Sequence, residues 1–149
     1  MKVKEIMHKK VITLRPDNTY EEAVKILYDN DIAGAPVVDE EDRLIGYISE
    51  KDLFRILYPY YKDYYEHPES YTDLEKRENK AQEIRYQLVK EFMNKSPLTV
   101  EPDTPVLSAG AIMLANGVHQ FPVIENGKIV GIISREMIYR RIFKKNFKL

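Results

Sequence analysis

Val3-Lys4-Glu5-Ile6-Met7, near the start of the chain, returns as Val89-Lys90-Glu91-Phe92-Met93. With an offset of 86, residues 3–38 match residues 89–124 at 13 of 36 positions. After one deletion, Gly46-Tyr47-Ile48-Ser49 matches Gly131-Ile132-Ile133-Ser134. Self-similarity at a fixed offset indicates two copies of one structural unit. We therefore predict a duplicated fold whose function depends on what the two copies form together.

Composition narrows the class of protein. The 149 residues are 44% hydrophobic and 32% charged, with a net charge of −1, which is typical of a globular domain with a real core. A near-neutral chain has no general attraction to nucleic acid or anionic membrane. The chain contains no cysteine, and no apolar run approaches the roughly 20 residues that cross a bilayer. A cytoplasmic location without membrane attachment is the expectation.

Both copies predict the same order of elements, β-α-β-β-α. In the first, a strand over Val11–Leu14 precedes a helix whose Thr19 and Glu22 have capping-box spacing. A strand entered through Pro36, a returning strand and a helix beginning near Ser49 follow. The second copy predicts a strand at Leu98–Val100, a helix capped by Thr104 with Pro105 in its first position, a hairpin turning at Asn126-Gly127, and a last helix from about Ser134. The fold class is therefore α/β.

An insert separates the copies. We place repeat 1 at residues 1–57, a tyrosine-rich helical insert at 58–83 and repeat 2 at 84–149. A helix is predicted from Glu75 to Val89, because Ile84 and Leu88 continue to Phe92 at four-residue spacing. The aromatic side chains either pack on their own domain or form a partner or dimer surface. They are Tyr58, Tyr60, Tyr61, Tyr64, Tyr65 and Tyr71.

The ordered set of motifs, present twice, resembles the cystathionine β-synthase (CBS) domain. The pattern is Thr-x-x-Pro, a helix, a hydrophobic-Pro-Val-Val strand, and Gly-x-x-Ser-x-x-Asp opening a helix, as in Thr13–Pro16 and Gly46–Asp52. The resemblance implies two repeats packed sheet to sheet as one Bateman module, with adenosyl ligands bound in clefts between them. It also implies a homodimer, with faces near Leu53–Leu57 and Ile138–Ile142. We expect a stand-alone regulatory protein.

The same resemblance implies a ligand site in the first copy. Asp52 would accept hydrogen bonds from both ribose hydroxyls, and Ser49 would add a third or bind a phosphate at the helix start. Ser49-x-x-Asp52 taken alone is more typical of a simple helix N-cap, and its place in the repeated pattern favours the ligand site. Small side chains would leave room for the flat adenine ring. The ligand-binding set is Ile12, Thr13, Ala33, Gly34, Ala35, Pro36, Ser49 and Asp52.

The second copy departs from this pattern. Met137 stands where the first copy has Asp52, and methionine cannot hold ribose hydroxyls. His119-Gln120-Phe121 is far bulkier than Ala33-Gly34-Ala35. We expect this second site to be empty, weak or changed in ligand, unless its residues contact phosphates of a ligand at the first site. The candidate residues are Thr99, His119, Gln120, Phe121, Ser134 and Arg135.

Other functions have weaker support in the sequence. The sequence has no cysteine nucleophile, no His pair at metal-ligand spacing and no Gly-rich phosphate loop, so we expect neither an enzyme nor a metal or catalytic cofactor. The basic run Arg140–Lys148 could follow a nucleic-acid backbone, but a cationic helix end complementing the helix dipole is favoured. The expected function is an adenosine-nucleotide sensor (AMP, ADP, ATP or S-adenosylmethionine) that changes its association with an effector. A ligand-free interaction module using the insert is the alternative.

Overall fold

The structure, a computed structural model, describes residues 1–58 and 74–149 and falls into two compact units. The second-repeat unit comprises Met1–Ile12, Asp39–Ile45 and Ser96–Leu149, and the first-repeat unit comprises Thr13–Val38 and Gly46–Lys95. The tyrosines predicted to dominate the insert lie outside the described residues, apart from Tyr58. The boundaries predicted at residues 57 and 83 separate the two sequence repeats from the insert, and they stay a prediction.

The first-repeat unit is built on a hairpin and two helices. Helix α1 (Tyr20–Asp29) starts at Thr19, whose hydroxyl accepts a hydrogen bond from the Glu22 amide, as predicted. Strands β1 (Gly34–Val38) and β2 (Leu44–Ser49) form a two-stranded sheet, and α2 (Glu50–Arg55) follows directly. The predicted strand over residues 11–14 is reduced to one parallel bridge between Leu14 and Val37.

The second-repeat unit repeats this architecture. Helix α6 (Val106–Asn116) precedes β3 (Gln120–Glu125) and β4 (Lys128–Ser134), which pair in antiparallel register around Asn126-Gly127. Both turn residues have positive φ, of 53° and 78°, which confirms the predicted two-residue turn. Helix α7 (Arg135–Asn146) closes the unit. The predicted strand at 98–100 is again one bridge, between Val100 and Val123.

Two helix predictions are wrong in detail. Pro105, not Thr104, is the N-cap of α6, and the Thr104 hydroxyl instead accepts a hydrogen bond from the Glu101 amide. The single helix predicted for 75–89 is three short ones: α3 (Leu74–Arg77), α4 (Lys80–Glu83) and α5 (Val89–Phe92). In a continuous helix the Val89 amide would donate to the carbonyl four residues earlier. It donates instead to the Asn18 carbonyl at 2.8 Å, so the chain leaves the helical path before α5.

The segment that opens each repeat packs in the unit of the other repeat. Val3 donates to the Thr104 carbonyl at 2.9 Å, just as Val89 donates to Asn18. Both valines are fully buried, and Val3 lies in the core cluster of the second-repeat unit with Ala109, Met113, Phe121 and Ile133. The two repeats therefore exchange their opening segments, using equivalent hydrogen bonds in each unit.

Candidate functional site

Ser49 and Asp52 form a closed capping box at the start of α2. The Ser49 amide and hydroxyl donate to Oδ2 of Asp52 at 3.0 and 2.9 Å, and the Asp52 amide donates back to the Ser49 hydroxyl at 3.2 Å. Oδ1 of Asp52 accepts a 2.8 Å bond from the Arg55 guanidinium. The Asp52 side chain is only 12% exposed, whereas that of Arg55 is 45% exposed. The carboxylate is thus a preorganised acceptor whose Oδ1, among the residues that the structure describes, is held only by the surface cation of Arg55.

Backbone hydrogen bonds bring the other predicted residues to the same unit. The Glu50 amide, one residue after Ser49, donates to the Ala33 carbonyl at 2.9 Å. The Leu14 amide, next to the exposed Thr13, donates to the Pro36 carbonyl at 2.8 Å. Ala33 is exposed, but the side chains of Ala35 and Pro36 are buried. Of the first set, Ile12 alone belongs to the second-repeat unit.

Tyr47 is a residue of this region that sequence reasoning left without a role. A Cβ atom at Gly34 would lie 2.5 Å from the Tyr47 hydroxyl oxygen and 2.8 Å from the Ile48 carbonyl oxygen. The phenol therefore occupies the space beside Gly34 that was predicted to receive an adenine ring. The signal was available, because alternation along β2 puts Tyr47 on the same face as Ser49.

The equivalent place in the second-repeat unit keeps the backbone pattern but not the carboxylate. The Ser134 hydroxyl accepts from the Met137 amide at 3.2 Å, and the Arg135 amide donates to the His119 carbonyl at 2.8 Å. Met137 is partly buried against the unit's core and returns no hydrogen bond. The arrangement agrees with the expectation that this place cannot hold a ribose in the same way.

Side chains of the second set point to different environments. A guanidinium nitrogen of Arg135 lies 2.7 Å from Nδ1 of His119, and both side chains are exposed. Phe121 is 2% exposed and belongs to the hydrophobic core, which differs from the ligand contact considered above. Gln120 pairs with Ser134 in the β3–β4 register, and Thr99 is exposed beside the Val100 bridge. His119 and Arg135 meet through their side chains.

The described ranges 1–58 and 74–149 show neither a metal-binding cluster nor a membrane-spanning helix. They contain no group of three or more His, Asp or Glu side chains arranged to hold a metal ion. Nor does any helix in them combine the length and apolar character that crossing a bilayer requires.

Comparisons with known proteins agree on one family. The CBS domain matches residues 3–59 and 89–144. An inosine-5'-monophosphate dehydrogenase of Methanocaldococcus jannaschii is 30% identical over 142 residues, which cover 94% of this chain but 23% of that protein. A CBS domain-containing protein of Dictyostelium discoideum is 29% identical over 95% of this chain and 91% of its own length. The chain thus spans under a quarter of the dehydrogenase.

A solved structure resembles the whole chain. The CBS domain pair of protein MJ0100, in complex with 5'-methylthioadenosine and S-adenosyl-L-methionine, superposes with a TM-score of 0.74 at 26% identity. The match covers 97% of this chain and 98% of that one. The fold of a tandem CBS pair, predicted from the repeated motifs, is confirmed.

Proposed function

The chain belongs to the CBS domain family, and on that premise we propose that it is a regulatory module that binds an adenosine-containing ligand through its first repeat. The preorganised Asp52 carboxylate, 12% exposed and held by Ser49, is the observation that carries the proposal. The bound 5'-methylthioadenosine and S-adenosyl-L-methionine of the MJ0100 pair support the ligand class. The proposed ligands are AMP, ADP, ATP or S-adenosylmethionine.

Oδ1 of Asp52 is the atom we assign to the ribose. A carboxylate has about four lone-pair sites, and Ser49 uses two of them on Oδ2. The remaining partner, Arg55, forms an exposed pair of the kind that contributes little to stability. Ribose hydroxyls would displace or share that guanidinium and leave the capping box intact. Binding would therefore not require α2 to unwind.

The base is proposed to contact Thr13, the backbone at Ala33 and the Tyr47 ring that covers Gly34, with Ile12, Ala35 and Pro36 completing the expected set. Thr13 and Ala33 are exposed, whereas Ala35 and Pro36 are buried and would contribute backbone atoms rather than side chains. Tyr47 lies against Gly34 and becomes part of the proposed site. Its ring offers the edge or face that a purine would meet.

The two repeats are proposed to differ in what they bind. Met137 replaces the carboxylate, so no ribose site of the first type is proposed in the second repeat. Thr99, Gln120 and Ser134, with His119 and Arg135, remain candidates for contacts to an anionic group, whereas buried Phe121 does not. We propose no catalytic step, and the output is a changed association with an effector protein, carried by a homodimer.

Calorimetric titration and thermal unfolding with AMP, ADP, ATP, S-adenosylmethionine and 5'-methylthioadenosine test the proposal. A ligand at 100 times its Kd adds about 2.7 kcal/mol to the free energy of unfolding. Asp52→Asn keeps the shape of the side chain while weakening the acceptor, and we expect at least a tenfold loss of affinity. Failure of the wild type to bind any of the five ligands would contradict the proposal.

Glu50→Gln is the matched control, because it neutralises another carboxylate in the first turn of the same helix. The described residues give the Glu50 side chain no hydrogen-bond or ion-pair partner. Affinity is expected to stay within about twofold of the wild type. An equal loss in both variants would mean that general charge, rather than Asp52 as an acceptor, governs binding.

A further inference from the structure

Helix α7 carries a concentration of positive charge that the proposed ligand site does not use. Residues 139–149 contain five Lys and Arg and no acidic residue, although the whole chain has a net charge of −1. The other 138 residues therefore carry −6. Two lysines in the last turn, Lys144 and Lys145, would be enough to complement the helix dipole. Arg140 and Arg141 lie earlier in the helix, and Lys148 lies beyond its end.

Three aromatic rings line the same helix at four-residue spacing. Tyr139 and Phe147 are 61% and 59% exposed, and Phe143 is 39% exposed. The ring centroids of Tyr139 and Phe143 are 4.9 Å apart, and those of Phe143 and Phe147 are 5.8 Å apart with planes inclined by 8°. The outer rings therefore present open faces next to the cations.

Rings and cations meet in one groove of about 430 Å³, lined by Glu136, Tyr139, Arg140, Phe143, Lys144 and Leu149. Within α7, positions 140 and 144 lie about 100° around the helix from the aromatic positions 139 and 143, so cations and rings are neighbours, and Phe147 and Lys148 continue the pattern in sequence just past the helix end. We define the aromatic–basic strip as Tyr139, Arg140, Phe143, Lys144, Phe147 and Lys148. The acidic residue that lines the groove, Glu136, is already paired with Arg140 at 2.8 Å.

The internal duplication shows which part of the strip is special to the second repeat. With the offset of 85, Tyr139 and Phe143 correspond to Phe54 and Tyr58, which also form an aromatic pair, with centroids 5.2 Å apart. Arg141 and Lys144, however, correspond to Ile56 and Pro59. Within the strip, Arg140 has a basic counterpart in Arg55, whereas Lys144 and Lys148 have none, so only part of the positive charge distinguishes the second repeat. A common structural role of the aromatic pairs does not explain it.

We propose that the aromatic–basic strip binds single-stranded nucleic acid. A spaced row of cations follows a phosphate backbone, and exposed rings stack on unpaired bases, which a duplex does not offer. An anionic membrane would satisfy the charge equally well. It would favour a broad aliphatic face, however, and apart from Leu149 the strip's exposed apolar side chains are rings. This binding is independent of the adenosine-ligand site.

Fluorescence polarisation of labelled 20-nucleotide oligothymidine, oligouridine and a matched duplex tests the proposal on the whole protein. We expect single strands to bind more tightly than the duplex. Affinity should fall roughly 20- to 100-fold from 50 to 200 mM salt if three to five phosphates are contacted. Lys144→Glu with Lys145→Glu should reduce affinity at least tenfold. Phe147→Ala should reduce it at least fivefold, and Phe147→Leu should not restore it.

Lys9→Glu with Lys10→Glu is the matched control, since it reverses two exposed lysines elsewhere in the same unit. Its affinity should stay near that of the wild type, and thermal unfolding should show that every variant is folded. The proposal is overturned by absence of single-strand binding at 50 mM salt, by equal losses in the control, or by insensitivity to Phe147→Ala. Binding to phosphatidylserine vesicles but not to oligonucleotides would overturn it in favour of a lipid surface.

Discussion

The backbone amide of Val106 donates a 3.0 Å hydrogen bond to the carbonyl oxygen of Met1. Pro105 has no hydroxyl or carboxylate with which to cap α6, and the first residue of the chain supplies the missing acceptor. The same bond recurs 86 residues away, where the Tyr20 amide donates to the Gln87 carbonyl at 2.7 Å. Each opening segment therefore helps to begin the first long helix of the other repeat.

Burial of the exchanged segments predicts that their valines stabilise the fold. Val3→Ala and Val89→Ala should each lower the free energy of unfolding by about 2 kcal/mol, because both side chains are fully buried. Val24→Ala is the matched control at a position that is 37% exposed, and it should cost under about 0.5 kcal/mol. Urea unfolding measures all three. Equal effects of Val3→Ala and Val24→Ala would contradict the packing of the N-terminal segment.

Two glycines receive the methionines of the exchanged segments. A Cβ atom at Gly46 would collide with the side chain of Met93, and one at Gly131 would lie 2.6 Å from Met7 Sδ. Gly46→Ala and Gly131→Ala should therefore destabilise the protein. A methionine side chain can be removed by substitution, but backbone cannot. The nearest backbone atoms are the Asn94 carbonyl oxygen, 3.1 Å from a Cβ at Gly46, and the His8 carbonyl oxygen, 2.9 Å from a Cβ at Gly131.

Double-mutant cycles of urea unfolding test this difference. Met93→Ala should relieve most of the penalty of Gly46→Ala, whereas Met7→Ala should relieve less of that of Gly131→Ala, because the His8 carbonyl is closer. Additive effects in both pairs would show that the methionines do not pack on the glycines.

An ion-pair cluster gives the N-terminal segment a pH dependence. Asp103 Oδ1 lies 2.8 Å from Lys4 Nζ and 3.4 Å from Lys2 Nζ, and hydrogen bonds from Lys4 and then Lys2 hold the pKa of Asp103 below its usual value. A depressed folded pKa stabilises the protein above the unfolded pKa, and this contribution is lost as pH falls through the folded value. Conversely, Asp103 raises the pKa of Lys4, so the pair is also lost at strongly alkaline pH.

We therefore expect Asp103→Asn to be slightly less stable than the wild type at pH 7 and equal to it near pH 2, by chemical unfolding in low salt. High salt should reduce the difference at pH 7, because all three side chains are more than half exposed. A difference that persists at acid pH would point to a cause other than charge.

The proposed homodimer predicts which exposed side chains contact the partner subunit. Leu53 and Ile138, near the expected faces, are only 7% exposed, so the exposed side chains beside them are the ones expected to contact a partner subunit. The neighbouring Phe54, 59% exposed, and Tyr28, 84% exposed, line an open groove of about 760 Å³ between α1 and α2. An apolar groove of this kind favours burial against another surface.

Tyr28→Glu with Phe54→Glu should convert a dimer into monomers in light scattering coupled to gel filtration. Tyr86→Glu is the control, since Tyr86 is 71% exposed and does not line that groove. A dimer that survives the double substitution, or a wild type that is already monomeric, would contradict the proposal.

Much of the candidate site could be predicted because it is local. Ser49 and Asp52 are three residues apart, so a capping box follows from their spacing. The side chain that packs on Gly34 could not be predicted from residue spacing, because Tyr47 reaches it across a hairpin. Phe121 was a second-site candidate because it is the counterpart of Ala35, but β3 directs it into the core.

The sequence alone determined the duplication, the helix–hairpin–helix order within each repeat, the caps at Thr19 and Ser49, and the Asn126-Gly127 turn. All of these depend on contacts between residues close in the chain or on direct comparison of the two copies. Tertiary structure alone decided which repeat receives each opening segment. Val3 and Val89 have nearly identical neighbours in sequence, so local preferences cannot choose between partners. Long-range hydrogen bonds to Thr104 and Asn18, together with burial of both valines, make that choice.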